Sequence, residues 1–355
     1  MSALPMNDLE SNFLSERAGG CGGLLFKRHQ SRRRKLITVA TVASCMTAVF
    51  SLDALAAGPR AINWLHLSPM ASPPPRSYLA MTYDAASGKV IMFGGIDGAG
   101  YLNDTWTFDG STWTRVTGTL APPARANAQM AYDAATGKVV LFGGYNGRSY
   151  LGDTWLWNGI TSKWMKARPA HSPKAVTGPM VFPDPNGRVD VFGGFDGRFY
   201  QAAFWQWNGS DWTQLFPAMV PYGRASAAVG VNEVTKEVVM FGGLAAVNPV
   251  NTWTYDGTTW TMRTPRTQPV WVYSASAAFD SNLNGVVLFG GGSGGMDQNT
   301  TWEWSRSTWK QLSTVQSPPA REGAGMAYDP DLGHAVIFGG QKSTSYLRDT
   351  WVLVP

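Results

Sequence analysis

Cysteine is almost missing from this chain of 355 residues: only Cys21 and Cys45 occur, and both precede residue 57. The remainder has no thiol for a disulfide, a thiolate metal site or a nucleophile, so its stability must come from packing. Histidine is nearly as scarce, with four copies in all. Charged residues make up only 15% against 44% hydrophobic, a balance that excludes a disordered chain and allows a large core. The formal net charge of +5 falls to +2 once residues 1–56, with seven basic and four acidic side chains, are set aside. A nearly neutral body has no electrostatic footprint for nucleic acid, and no such partner is expected.

Those first 56 residues read as a leader rather than as fold. Lys27–Lys35 (KRHQSRRRK) is basic, Leu36–Leu52 is uncharged, and Ala54-Leu55-Ala56 has the small-x-small pattern of a signal-peptidase site. Three forms are open: cleavage after Ala56, lipoprotein processing at Val42-Ala43-Ser44-Cys45, and an uncleaved anchor. Ser31-Arg32-Arg33 followed by Leu36 also resembles a twin-arginine signal, although Lys35 stands where that pattern prefers an apolar residue. Each form places residues 57–355 outside the cytoplasm, secreted or periplasmic, touching a membrane only through an uncleaved leader or a lipid anchor.

Glycine and tryptophan are plentiful, at 40 and 16 copies. The triplet Phe-Gly-Gly begins at Phe93, Phe142, Phe192, Phe241, Phe289 and Phe338, at intervals of 48 to 50 residues. Each unit repeats four β-like runs, as in Ala80–Asp84, Lys89–Gly95, Asp104–Asp109 and Thr112–Val116. Asp109-Gly110, Asn158-Gly159, Asn208-Gly209 and Asp256-Gly257 lie between the third and fourth runs, where a tight hairpin needs positive φ. Tryptophan recurs on the third run (Trp106, Trp155, Trp205, Trp253, Trp302, Trp351) and opens the fourth. The sixth unit ends before its fourth run, yet WLHLSPMASPPPR at Trp64–Arg76 matches WKQLSTVQSPPAR at Trp309–Arg321. The N-terminal segment therefore supplies the missing strand and removes an open sheet edge.

This pattern resembles kelch repeats, in its spacing near 50, its di-glycine and its paired aromatic positions after it. The resemblance covers residues 62–355 and implies an all-β, six-bladed propeller with four antiparallel strands per blade. The expected blades are 76–117, 125–168, 174–216, 224–264, 272–313, and 321–354 plus 62–68.

Residues shared by every unit serve the blade; those that depart from the repeat are the candidates for function. Arginine opens the first strand in four units (Arg76, Arg125, Arg224, Arg321), with Ala175 and Val272 read into that position in units three and five. Aspartate opens the third strand in three (Asp104, Asp153, Asp349), with Ala203, Asn251 and Thr300 in the others. Arginine and aspartate occur together, which points to structural pairs Arg76–Asp104, Arg125–Asp153 and Arg321–Asp349 bridging the glycines. The alternative is that the arginines line a channel mouth and bind acidic ligands, as metazoan kelch domains resembling this repeat use arginines there.

Departures from the repeat supply the ligand-binding candidates: Arg148, Arg198 and Phe199 in the loops after the di-glycine, Trp271 and Tyr273 at the start of unit five, and Asp190. Asp190 replaces an apolar residue on a second strand and is either a paired buried acid or a functional one. Tyr101, Tyr150, Tyr200 and Tyr346 align and are expected to pack loops. No catalytic residue, metal site or cofactor is assigned, because His66, His171 and His334 have no spaced partners. Copper-radical kelch oxidases need a cysteine-linked tyrosine, which is impossible here. The preferred reading is an exported, non-catalytic binding or scaffold propeller that takes a protein, a peptide or an acidic glycan on one face. Two alternatives stand beside it: an epimerase of the kind found among exported kelch propellers acting on sialic acid, and a purely structural cell-surface protein.

Overall fold

The computed structural model describes residues 62–118, 120–247 and 249–355. The leader, its signal pattern and Cys45 lie outside the described residues. Six four-stranded antiparallel sheets are arranged as blades around an axis, and no helix occurs among the described residues. In blade one the strands run Ala80–Asp84, Lys89–Phe93, Thr105–Phe108 and Trp113–Val116, from the axis outward. Each inner strand lies beside the inner strands of the two neighbouring blades.

The ring closes with the N-terminal segment. Asn63–Leu67 pairs antiparallel with the last strand, Thr350–Val354, in register from Asn63 opposite Val354 to Leu67 opposite Thr350. Asn63–Leu67 and Thr350–Val354 thus share blade six, and among the described residues no blade is left with three strands.

The hydrophobic core lies between blades rather than on the axis. Val336 and Phe338 of blade six pack with Met81, Val90 and Trp113 of blade one, and equivalent clusters fill the other five seams. The tryptophan of the outer strand crosses each seam and donates its indole N–H to a threonine on the neighbouring blade. Trp64 bonds Thr301 at 2.9 Å, Trp113 bonds Thr350 at 3.0 Å, and Trp164, Trp212 and Trp309 do the same. Trp260 has no such partner, because Phe204 stands where the other blades have threonine.

The di-glycine permits close approach of the next blade. A Cβ on Gly94 would come within 2.7 Å of the Arg125 carbonyl oxygen, and Gly95 donates its N–H to that oxygen at 2.9 Å. The residue making this contact from blade three is Val176, whose carbonyl accepts from Gly144 at 2.8 Å. The arginine position of unit three is therefore Val176, not Ala175.

Candidate functional site

An antiparallel four-stranded blade puts the start of its first strand, the end of its second, the start of its third and the end of its fourth at one end. The post-di-glycine loops and the blade-to-blade connections consequently share one face of the ring. Below it lie the arginines of the repeat.

Arg76 donates to both carboxylate oxygens of Asp104, at 2.5 and 2.9 Å, and to the Gly94 carbonyl at 3.1 Å. Arg125 with Asp153 and Arg321 with Asp349 repeat this geometry. The same aspartates also accept the indole N–H of Trp106, Trp155 and Trp351 at 2.7 Å. Burial raises the Asp104 carboxyl, but the hydrogen bond and charge of Arg76 and the Trp106 N–H outweigh it and hold the group below its ordinary range. Arg76, Arg125, Arg224 and Arg321 are no more than 1% exposed, so none of them presents its guanidinium to a ligand at the channel mouth.

Where the aspartate is lost, polar groups are left over. In blade four the only side-chain partner of Arg224 is the Asn251 amide oxygen, beside the Gly242 and Tyr222 carbonyls; Arg224 Nη2 is left unpartnered, and burial pulls this arginine down to about 10. The indole N–H groups of Trp205 and Trp253 are likewise unpartnered.

Arg148 and Arg198 stand at matching places on the loops of blades two and three, both exposed. Side-chain oxygens build each turn: Asn146 accepts from the amides of Arg148 and Ser149, and Asp196 from those of Arg198 and Phe199, at 2.7 to 2.9 Å. The Arg198 guanidinium lies 5.0 Å from the ring centre of Phe199, itself 57% exposed. Each loop leans on the tyrosine of the preceding blade, since a Cβ on Gly147 would strike Tyr101 and one on Gly197 would strike Tyr150. Tyr101, Tyr145, Tyr150, Phe195 and Tyr200 form a run of aromatic contacts with ring centres 4.9 to 6.0 Å apart. Tyr78, Tyr101, Tyr145, Tyr150 and Tyr346 also wall a cavity of about 300 Å³ near the axis. Of the aligned tyrosines, Tyr101, Tyr150 and Tyr346 thus rim a pocket, while Tyr200 packs on Phe195.

Trp271 and Tyr273 lie in blade five with ring centres 5.5 Å apart. Trp271 has a local reason to exist: its indole N–H donates to the Gly243 carbonyl at 2.8 Å. In the other five blades that carbonyl accepts a backbone N–H from the loop, for instance Leu102 to Gly95, a bond that the Pro249-containing loop of blade four does not make among its described residues. Tyr273 adjoins Glu322, whose Oε1 accepts from the Tyr78 hydroxyl at 2.6 Å and from Gln341 at 2.9 Å, while Oε2 is buried without a partner. Burial and the Glu322 charge both raise the Tyr78 and Tyr273 hydroxyls.

Asp190 does not belong with Arg148 and Arg198. It is fully buried, and its strand carries it about 13 Å from the loop that bears Arg198. Gln206 Nε2 donates to Asp190 at 3.1 Å and to Asp184 at 3.0 Å, so one amide bridges two carboxylates. Asp190 Oδ2 has no partner, and burial with the Asp184 charge pushes the group up to about 8. His171 pairs with Asp211 at 2.8 Å in exposed loops, and among the described residues no group of three or more His, Cys, Asp or Glu converges as a metal site.

Two features escaped sequence reading. One is an apolar sector on the loop face that extends beyond the expected Phe199: Phe216, Met219, Tyr222, Val247, Val250 and Val270, with Phe199 all from blades three to five, are 41 to 82% exposed. Contacts knit this sector together, since Asn251 reaches the Tyr222 hydroxyl and Gln268 the Val250 carbonyl. The other is an aspartate or asparagine ending every inner strand (Asp84, Asp133, Asp184, Asn232, Asp280, Asp329) and capping the turn that follows. Its recurrence was visible in the repeat.

Residues 58–218 match a family model described as the KLHDC2/KLHL20/DRC7 Kelch-repeats domain. Among solved structures, one titled "Structure of YjhT" is similar with a TM-score of 0.63 and 18% identity, over 79% of this chain and 95% of that one. No curated protein matches the chain. The six di-glycine units and the closed ring they build make the chain a six-bladed β-propeller, and its residues 58–218 carry the kelch-repeat match.

Proposed function

We propose that the protein is a non-catalytic binding module that holds an acidic, partly apolar peptide or protein segment against the loop face over blades two to five. The observation that carries this reading is the apolar sector from Phe199 to Val270, flanked by the exposed cations Arg148, Arg198, Lys174 and Arg266. Apolar side chains exposed together within a basic surround are a surface built to be covered. The epimerase reading needs a cation and an acid–base group in one site, and Asp190 stands apart from Arg148 and Arg198 in the interior. The leader supports an exported placement, by cleavage after Ala56, lipid attachment at Cys45 or retention as an anchor.

Selection of a random peptide library on the full chain tests this. Acidic-apolar sequences are expected to emerge, to weaken with salt, and to lose about tenfold in affinity with Arg198→Ala plus Phe199→Ala. Binders without acidic bias, or binders indifferent to those changes, count against the reading. The tyrosine-walled cavity favours a second reading, a glycan stacked on Tyr101 and Tyr150. Binding lost with Tyr150→Ala but kept with Arg198→Ala would select it.

A further inference from the structure

Six backbone hydrogen bonds run once around the axis just below the loop face. Tyr78 donates to Gly323, Gly323 to Ser274, Ser274 to Ser226, Ser226 to Gly178, Gly178 to Asn127 and Asn127 back to Tyr78, at 2.6 to 2.9 Å. All six residues have positive φ, from 51° to 64°. Six links at roughly 4.8 Å make a loop about 9 Å across between backbones, which constricts the axial channel at the loop face. At the other face the channel is bordered by the turns that follow the inner strands.

Beyond this ring the inner strands enclose about 660 Å³, within the usual range of small-molecule sites. Strands of four to five residues give it a depth of roughly 15 Å and a mean width of roughly 7 Å. Its wall mixes pliable apolar side chains, Met81, Met130, Met180 and Met326 from four different blades and Val229 and Ala277 from the remaining two, with the polar Thr82, Gln129 and Ser276. The charged residues of the lining are Asp184, Glu233 and Lys236, all in turns at the open end, and Lys236 is tied to Glu233 at 2.9 Å. An anion therefore meets carboxylates at the entrance and no free cation within. Water against the methionine, valine and alanine part of this wall finds few hydrogen-bond partners, and an apolar chain gains by displacing it.

We propose that the channel is a second binding site, independent of the loop face, that takes a slender uncharged molecule built on an alkyl chain and entering from the opposite face. The fluorescence of N-phenylnaphthylamine, which brightens in an apolar pocket, reports occupancy in the full-length protein. Octanol is expected to displace the probe, and octanoate to compete about tenfold less well because of Asp184 and Glu233. Ala277→Trp fills the channel and is expected to weaken probe binding about tenfold or more, with Val229→Phe as the milder variant if the first does not fold. Arg198→Ala plus Phe199→Ala, on the loop face, should leave probe binding unchanged. The proposal is overturned by absence of enhancement, by equal competition from octanoate, by full binding in a folded channel variant, or by loss in the loop-face variant. A failed peptide selection would leave these results untouched, so the two sites stand or fall separately.

Discussion

Blades six, one and two differ from blades three, four and five in one buried system. In the first group every blade has the arginine, the aspartate and a satisfied tryptophan indole. In the second, Val176 and Val272 replace two of the arginines, Ala203, Asn251 and Thr300 replace the aspartates, and Trp205, Trp253, Trp260 and Arg224 Nη2 are left without partners. The apolar loop sector belongs to this second group. The ring thus has a half optimised for closure, which includes the pairing of Asn63–Leu67 with Thr350–Val354, and a half where the repeat is relaxed and the surface is diversified. Sites drawn from the less optimised part of a fold are the general pattern where binding surfaces must vary.

Breaking the closed half should cost most. Trp64 is fully buried in the strand that completes blade six and bonds Thr301 across the seam. Trp64→Ala is expected to lose about 3–5 kcal/mol in denaturant unfolding, and deletion of residues 61–68 at least as much. A melting temperature unchanged by the deletion would mean that the ring does not depend on its N-terminal strand.

The next contrast sets one arginine against another. Arg76→Met leaves the carboxylate of Asp104 buried without its cation and should cost about 3–5 kcal/mol. Arg224→Met removes a guanidinium with an unmet donor and only an amide partner beyond the Gly242 and Tyr222 carbonyls, so its cost should stay within about 1 kcal/mol. Equal losses in urea titrations of the two variants would erase the distinction between the halves.

Much of this architecture was legible in the sequence because six units in one chain act as an internal alignment. The di-glycine period, the missing last strand and its replacement at Trp64 needed no structure. The slip from Ala175 to Val176 arose because unit three lacks the arginine that marks this position in units one, two, four and six. The axial hydrogen-bond ring was invisible because Tyr78, Asn127, Gly178, Ser226, Ser274 and Gly323 share a backbone conformation and no side-chain chemistry. Trp271 looked like a ligand group since its partner is a backbone carbonyl of another blade. Asp190 was marked correctly as a departure from the repeat, but sequence offered no depth coordinate to show that it faces the interior rather than the loops.

That aspartate sharpens the comparison through pH. Its carboxyl is raised to about 8 by burial and by Asp184, so below pH 4 it is protonated in folded and unfolded chains alike and costs nothing. From there to pH 8 the unfolded chain releases a proton that the folded chain keeps, and stability falls by up to about 1.4 kcal/mol per pH unit from this group. Asp190→Val, the residue type of four of the equivalent positions, should therefore stabilise the protein, little at pH 4 and progressively more toward pH 8. The lowered carboxyls of Asp104, Asp153 and Asp349 act with the opposite sign, contributing stability that is lost as pH falls through their depressed range. A stability gain in the valine variant that does not vary with pH would show that Asp190 is ionised within the fold.

The smallest change would convert a relaxed blade into a closed one. Asn251→Asp offers Arg224 a carboxylate, places an acceptor near the unpartnered Trp253 indole, and reverses the bond to the Tyr222 hydroxyl, which accepts from the Asn251 amide nitrogen at 3.4 Å and would donate to the new carboxylate. A charge-assisted pair in this setting is expected to add about 2 kcal/mol at neutral pH and to lose that gain in acid, as the new carboxyl is protonated. The complementary change, Val176→Arg without an aspartate at Ala203, buries a cation with no counter-charge and should destabilise. If Asn251→Asp gives nothing while Val176→Arg is tolerated, the arginine and the aspartate are not a unit, and their joint presence in blades one, two and six needs another cause.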